Sequence, residues 1–201
     1  MKKIKLMFLT LLLSMLSSFV LADTKVLMQT SMGDIEIELD TEHAPITTQN
    51  FLAYANDRFY DGLVFHRVIP NFMIQGGGAD NELNFQVPHE PIKNEAMNGL
   101  KNDRGTIAMA RTSEIDSATS QFFINVVDND YLNYQSPERY GYAVFGKVIK
   151  GMEVVDEIAN VKTTRKGPHQ NVPVEPIYII KVSVIDEPDE PQQENPTVSE
   201  Q

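Results

Sequence analysis

An arginine and a glutamine eight residues apart are the side chains best placed to do chemistry. They lie in the stretch Phe65-His66-Arg67-Val68-Ile69-Pro70-Asn71-Phe72-Met73-Ile74-Gln75-Gly76-Gly77-Gly78. A guanidinium and a carboxamide supply directed hydrogen-bond donors but no titrating base, so they suit recognition and electrostatic stabilisation rather than proton abstraction. Leu63 to Ile69 is aromatic and β-branched enough for a strand, Pro70-Asn71 is turn chemistry, and Phe72 to Gln75 resumes the strand before the glycines. A three-residue loop, Pro70 to Phe72, sets Arg67 across from Gln75 and Ile69 across from Met73 on one face. A two-residue loop would pair Arg67 with Ile74 instead; Asn71 tolerates the backbone angles that the longer loop needs, which favours three. An isolated arginine would simply extend its head into water. Here Gln75 shares the face and Phe72 and Met73 flank it, as in a shallow apolar pocket with a few placed polar groups. His66 is expected on the opposite face as a hydrogen-bonded interior histidine.

Other chemistries are poorly served. The chain has no cysteine and no Gly-x-Ser-x-Gly elbow, and His43, His66, His89 and His169 are far apart, without metal-ligand spacing. Gly76-Gly77-Gly78 lacks the downstream Lys-Ser/Thr of a phosphate loop and reads as flexible backbone beside the pocket. No metal and no cofactor is expected. A hydrolase on an unrelated barrel is correspondingly disfavoured.

The hairpin Phe65–Gly77 resembles the signature of the cyclophilins, peptidyl-prolyl cis/trans isomerases. Gly105-Thr106-Ile107-Ala108-Met109-Ala110, Ser120-Gln121-Phe122-Phe123-Ile124 and Val144-Phe145-Gly146-Lys147-Val148 resemble the family's later blocks in order and spacing. The resemblance spans roughly Thr24 to Ile185. It implies an all-β fold, a closed eight-stranded antiparallel barrel capped at each end by an α-helix. It also implies isomerisation of Xaa-Pro bonds, with Arg67 as the donor to the imide nitrogen and Gln75 and Gln121 orienting it. Phe72, Met73, Phe123 and Leu132 would hold the proline ring. Ala110 and Arg111 would pair with the substrate backbone, and Tyr131 and Tyr142 would form the rim. Three positions depart from the family pattern: Tyr131 stands for the usual Trp, Tyr142 for a His and Arg111 for an Asn. The altered rim also suits a module that holds proline-containing segments without accelerating them.

The positioning elements follow from periodicity. Lys25 to Gln29 and Asp34 to Leu39 form a hairpin with one wet face, since Ile35, Ile37 and Leu39 alternate with Asp34, Glu36 and Glu38. Pro45 opens a helix with Phe51, Tyr54 and Ala55 as its apolar stripe, ended by Asn56-Asp57. Ala79 to Asp103 reads as a long irregular loop holding an exposed His89. Thr106 to Arg111 and Gln121 to Val127 are strands, and a period of two puts Gln121 and Phe123 on one face, Phe122 and Ile124 on the other. The residues alone also allow both phenylalanines to be core. Ala108 and Ala110 are small enough for a substrate backbone to approach. Tyr142 to Ile149 and Ile177 to Ile185 are the last strands, Met152 to Ile158 a short helix, and Arg165 to Val172 a loop.

Composition sets the outer limits. The 201 residues are 42% hydrophobic and 22% charged, the ordinary globular range. Lys2, Lys3 and Lys5 precede the apolar run Leu6 to Leu21, and Val20-Leu21-Ala22 offers a small-residue cleavage site, so residues 1–22 read as a secretory signal peptide. Its removal takes away three lysines and no acidic residue, leaving 14 basic against 28 acidic side chains. Such a charge repels nucleic acid and anionic lipid. The expectation is a periplasmic, monomeric isomerase domain over 23–186 that acts on unfolded or partly folded proline-containing polypeptides. It needs neither nucleic acid nor, after cleavage, a membrane. From Asp186 on there are six acidic and no basic residues in sixteen, and 187–201 reads as an acidic disordered tail.

Overall fold

The computed structural model describes residues 24–185. The expected signal peptide and acidic tail lie outside the described residues. Strands β1 (Thr24–Thr30) and β2 (Gly33–Leu39) form the first hairpin, pairing Val26 with Ile37 and Met28 with Ile35. All four are fully buried, the interior set that a period of two selects. Helix α1 (Pro45–Asn56) buries Phe51, Tyr54 and Ala55 as the stripe required, along with Thr47 and Thr48. Its first turn is capped from a distance: the Glu95 carboxylate accepts from the Ile46 and Thr47 amides at 3.1 and 2.8 Å. A carboxylate there meets the orphan N–H groups and the positive end of the helix dipole.

Strands β3 (Arg67–Ile69), β4 (Met73–Gly76), β5 (Thr106–Met109), β6 (Phe122–Asn125) and β7 (Val144–Lys150) follow, then helix α2 (Met152–Ala159). A two-stranded sheet of β8 (Thr163–Lys166) and β9 (His169–Pro173) precedes β10 (Ile179–Ile185). The main sheet is antiparallel and eight-stranded in the order β10-β1-β2-β7-β5-β6-β4-β3, strongly curled around one core. Phe51, Tyr60, Phe65, Phe122 and Phe145 are fully buried within it. Phe122 meets the rings of Phe51 and Tyr60 edge-on at 5.7 and 5.6 Å, the geometry that aromatic quadrupoles favour.

Two expectations need correcting. The barrel is not closed by a continuous ladder: among the described residues β3 and β10 do not pair, and the seam is the isolated bridge Val64–Tyr178, flanked by Ile179 N–H to Leu63 O at 2.7 Å, Gly62 N–H to Ile179 O at 2.8 Å and Phe65 N–H to Ile177 O at 3.0 Å. The chain before β3 therefore carries the seam, and β3 itself is three residues long. The segment 165–172 is not a loop but most of the β8–β9 hairpin, which pairs Thr164 with Val172 and Lys166 with His169. Its side chains are largely exposed, so no apolar alternation announces it.

The long connection after β4 does lack regular structure, yet side chains order it. Asp80 accepts from the Asn84 side-chain amide at 3.0 Å and from the Asn84 and Glu82 backbone amides, both at 2.9 Å, and these bonds, the Asn84 side chain foremost, hold its carboxyl below the usual range. His89 is half-exposed and stacks on Tyr54 at 4.3 Å.

Candidate active site

The β3–β4 hairpin has the three-residue loop. Arg67 pairs with Gln75 and Ile69 with Met73, and Asn71 takes a φ of 56° at the loop's centre. This left-handed conformation costs Asn less than most residues. Arg67 Nη1 donates to Gln75 Oε1 at 3.2 Å and lies 3.9 Å from Met73 Sδ. With its oxygen thus occupied, Gln75 turns its amide away and donates Nε2 to Gln121 Oε1 at 3.1 Å. Arginine cannot accept, so the guanidinium dictates the orientation of the whole amide relay.

The glycines after β4 make room for that relay rather than flexibility. A Cβ on Gly78 would sit 2.6 Å from Gln121 Cγ, and one on Gly77, at a φ of 79°, would sit 2.8 Å from the Phe122 ring. Any larger residue at 78 would displace Gln121.

Beside Arg67 a groove of about 340 Å³ is lined by Arg67, Phe72, Met73, Gln75, Ala110, Arg111, Phe123, Tyr131, Leu132 and Tyr142. The structure thus brings together ten of the eleven residues expected at the site. The eleventh, Gln121, stands behind them and reaches the groove through Gln75. Met73, Phe123 and Leu132 form an apolar floor with Ala108 and Val144, a cluster separate from the main core. The alternation holds on β6: Phe122 and Ile124 face the core and Phe123 faces this floor.

The substituted rim residues are all engaged. Tyr131 stacks on Phe72 with ring centroids 5.9 Å apart, and the Arg67 guanidinium lies 5.8 Å from the centroid of the same Phe72 ring. Tyr142 meets Phe123 edge-on at 5.7 Å and carries the Arg111 guanidinium 4.9 Å above its ring. Arg111 also donates to the Gly141 and Thr112 carbonyls, both at 2.9 Å, so its charge caps one wall of the groove.

Ala110 and Arg111 lie just past β5, not within it, and the Ala110 N–H is already taken by Gln121 O at 2.9 Å. His66 is also not where alternation puts it. Phe65 and Val68 both reach the core, so His66 and Arg67 between them line the outer side together, along a second groove next to the first. His66 is 7% exposed and its Nδ1 has no hydrogen-bond partner, contrary to the expectation of a bonded interior histidine. Burial pushes its pKa down to about 4; the Val64 carbonyl and Gln121 oppose this without completing a bond to Nδ1, and His169 and Arg67 add to the fall.

A set of buried asparagines behind the groove has no counterpart in the sequence reading. Asn129 Nδ2 donates to Phe72 O at 3.0 Å and to Asn125 Oδ1 at 2.8 Å. Asn125 donates to Asn102 Oδ1 at 3.2 Å, and Asn102 in turn reaches the Leu132 and Tyr142 carbonyls, both at 3.3 Å. Three wall residues therefore hang on one polar network. No periodicity marks it; the only signal is asparagine recurring inside otherwise apolar or turn segments.

Comparison with known proteins agrees with this geometry. Residues 25–184 match the family described as cyclophilin type peptidyl-prolyl cis-trans isomerase/CLD. A peptidyl-prolyl cis-trans isomerase of Acinetobacter baylyi is 59% identical over 170 residues, covering 85% of this chain and 90% of that protein. The peptidyl-prolyl cis-trans isomerase B of Escherichia coli is 53% identical over 161 residues, covering 79% and 98%. Among solved structures, a cyclophilin-type isomerase of Cryptosporidium parvum, crystallised in the presence of the dipeptide Ala-Pro, is 28% identical with a TM-score of 0.68, covering 81% of this chain and 99% of its own. The chain belongs to the cyclophilin-type peptidyl-prolyl cis-trans isomerase family, which it matches from the first strand to the last.

Proposed function

We propose that this isomerase accelerates Xaa-Pro rotation in exported polypeptides by holding the proline ring on the Met73–Phe123–Leu132 floor while Arg67 hydrogen-bonds the imide nitrogen. The uncatalysed bond resists rotation by roughly 18–20 kcal/mol because resonance gives it double-bond character. Twisting the bond removes that resonance and leaves a lone pair on nitrogen. A donor aimed there stabilises the twisted state and not the planar one, which is the condition for catalysis.

The observation that carries this reading is the Arg67–Gln75 pair at the lip of an apolar floor: a fixed donor beside a surface that can take a proline ring. Only Nη1 of Arg67 is engaged by described residues, so the rest of the guanidinium can serve a substrate. Gln75 and Gln121 are positioning residues. With the Ala110 N–H occupied by Gln121 O, pairing with the substrate backbone falls to the Ala110 carbonyl and to Arg111. The Lys-rich start, apolar run and small-residue site of 1–22 support export to the periplasm, and the excess of acidic side chains supports a partner other than nucleic acid. The protein acts as a monomer in this reading.

Exchange between cis and trans forms of an unstructured Xaa-Pro peptide, followed by NMR with catalytic amounts of protein, tests it. Faster exchange is expected. Binding without faster exchange would make the groove a holding site.

A further inference from the structure

Past Arg67 the site continues into a second groove of about 440 Å³, which shares Arg67 and Gln75 with the first and which Arg111 does not line. Its inner wall is Arg67 and Gln121, and its outer wall is the turn of the β8–β9 hairpin, with His169 and Gln170. That hairpin stands outside the eight-stranded sheet and contributes little to the core. It is nevertheless fastened in place. Lys166 Nζ donates to Asn81 O at 2.8 Å, and the rings of His66, Phe85 and His169 run in a line with centroids 5.5 and 5.7 Å apart. Among the described residues no acidic side chain lines this groove, in a chain with 28 acidic and 17 basic side chains. Its polar lining consists of a guanidinium, imidazoles and carboxamides.

We propose that this second groove is a subsite for the segment flanking the substrate proline on the Arg67 side, and that it selects an Asp or Glu side chain there. The proposal rests on the isomerase reading above. Arg67 and Gln75 line both grooves, so a chain with its proline on the floor that runs past Arg67 must enter the second. Among the described residues a carboxylate entering it meets one fixed positive charge, several donors and no like charge, whereas a lysine meets Arg67 and no anion.

The test uses peptides with one proline and Glu, Ala or Lys placed in turn at each of the neighbouring positions on both sides. At one flank, kcat/KM for Glu should exceed that for Lys by about two- to fivefold at low salt, and high salt should erase the difference. His169→Glu and Gln170→Glu, two independent variants on the exposed hairpin, should each reverse the preference at that flank and leave the other flank's ratio unchanged. Equal rates for Glu and Lys on both flanks would overturn the inference. So would a Glu preference that survives both charge reversals, since Arg67 alone would then account for it. Absence of turnover even with the Ala peptide would overturn the isomerase reading, and this inference with it.

Discussion

Asn129 holds Phe72 from behind: its side-chain amide donates to the Phe72 carbonyl at 3.0 Å across 57 residues of sequence. Phe72 forms the loop end of the hairpin that carries Arg67, so the wall of the groove is set by a group that never faces it. The same amide satisfies Asn125, which links through Asn102 to the backbone of Leu132 and Tyr142. A buried polar network of this kind fixes one arrangement of its members and penalises any other.

Asn129→Ala should therefore cost stability and activity together. It strands the buried Asn125 Oδ1, a loss worth about 1–3 kcal/mol when left unpaired, while the Phe72 carbonyl keeps the Val126 N–H at 3.1 Å. A loss of about 1–3 kcal/mol in chemical denaturation is expected on that basis, with a raised KM because Phe72 loses one of the two bonds to its carbonyl. An unchanged denaturation midpoint would show that water replaces the amide without loss.

Arg67→Ala should leave the fold intact and remove most of the rate. A hydrogen bond from a charged donor is worth about 1.5–3 kcal/mol, and about 1.4 kcal/mol is a factor of ten, so one to two decades in kcat/KM are expected. Arg67→Lys keeps the charge but loses the planar fork that can bond Gln75 and substrate at once, so it should recover only part. Full recovery by Lys would mean that charge alone matters; wild-type turnover in Arg67→Ala would eliminate the assignment.

His66 should make the protein less stable in mild acid. Folded, it stays neutral down to about pH 4 because it is buried; unfolded, it takes up a proton near pH 6.5. Between those values the unfolded state binds more protons, so stability is full above about pH 6.5 and falls as pH drops towards 4, by on the order of 3 kcal/mol in all. His66→Gln should flatten this slope relative to the parent when urea midpoints are compared from pH 7 to 4.5. Parallel slopes would show that other groups account for the acid sensitivity.

Export predicts a defined end to the chain. Mass spectrometry of the protein recovered from cells should find Asp23 first, after cleavage at Ala22. A retained Met1 would sink this proposal.

Sequence alone determined the parts of this protein that depend on near neighbours. The pairing of Arg67 with Gln75 follows from a period of two and a turn whose centre needs a left-handed residue, both contained in nine consecutive positions. The buried stripe of α1 and the two faces of β6 follow from periodicity in the same way. Resemblance to a family added the residues that line the groove from elsewhere in the chain. What neither supplied was decided by closure of the sheet. Gln121 meets Gln75 because β6 lies beside β4, 46 residues on, and Asn129 meets Phe72 for the same reason. His66 shares the outer side with Arg67 because the seam before β3 is held by isolated bonds, which breaks the alternation a regular strand would impose. The β8–β9 wall has mostly wet side chains on both faces, so it carries no apolar pattern, and its place beside Arg67 comes from what it packs against. Local sequence encodes backbone shape and facing, but contacts between distant segments arise only once the sheet has curled and brought them within reach.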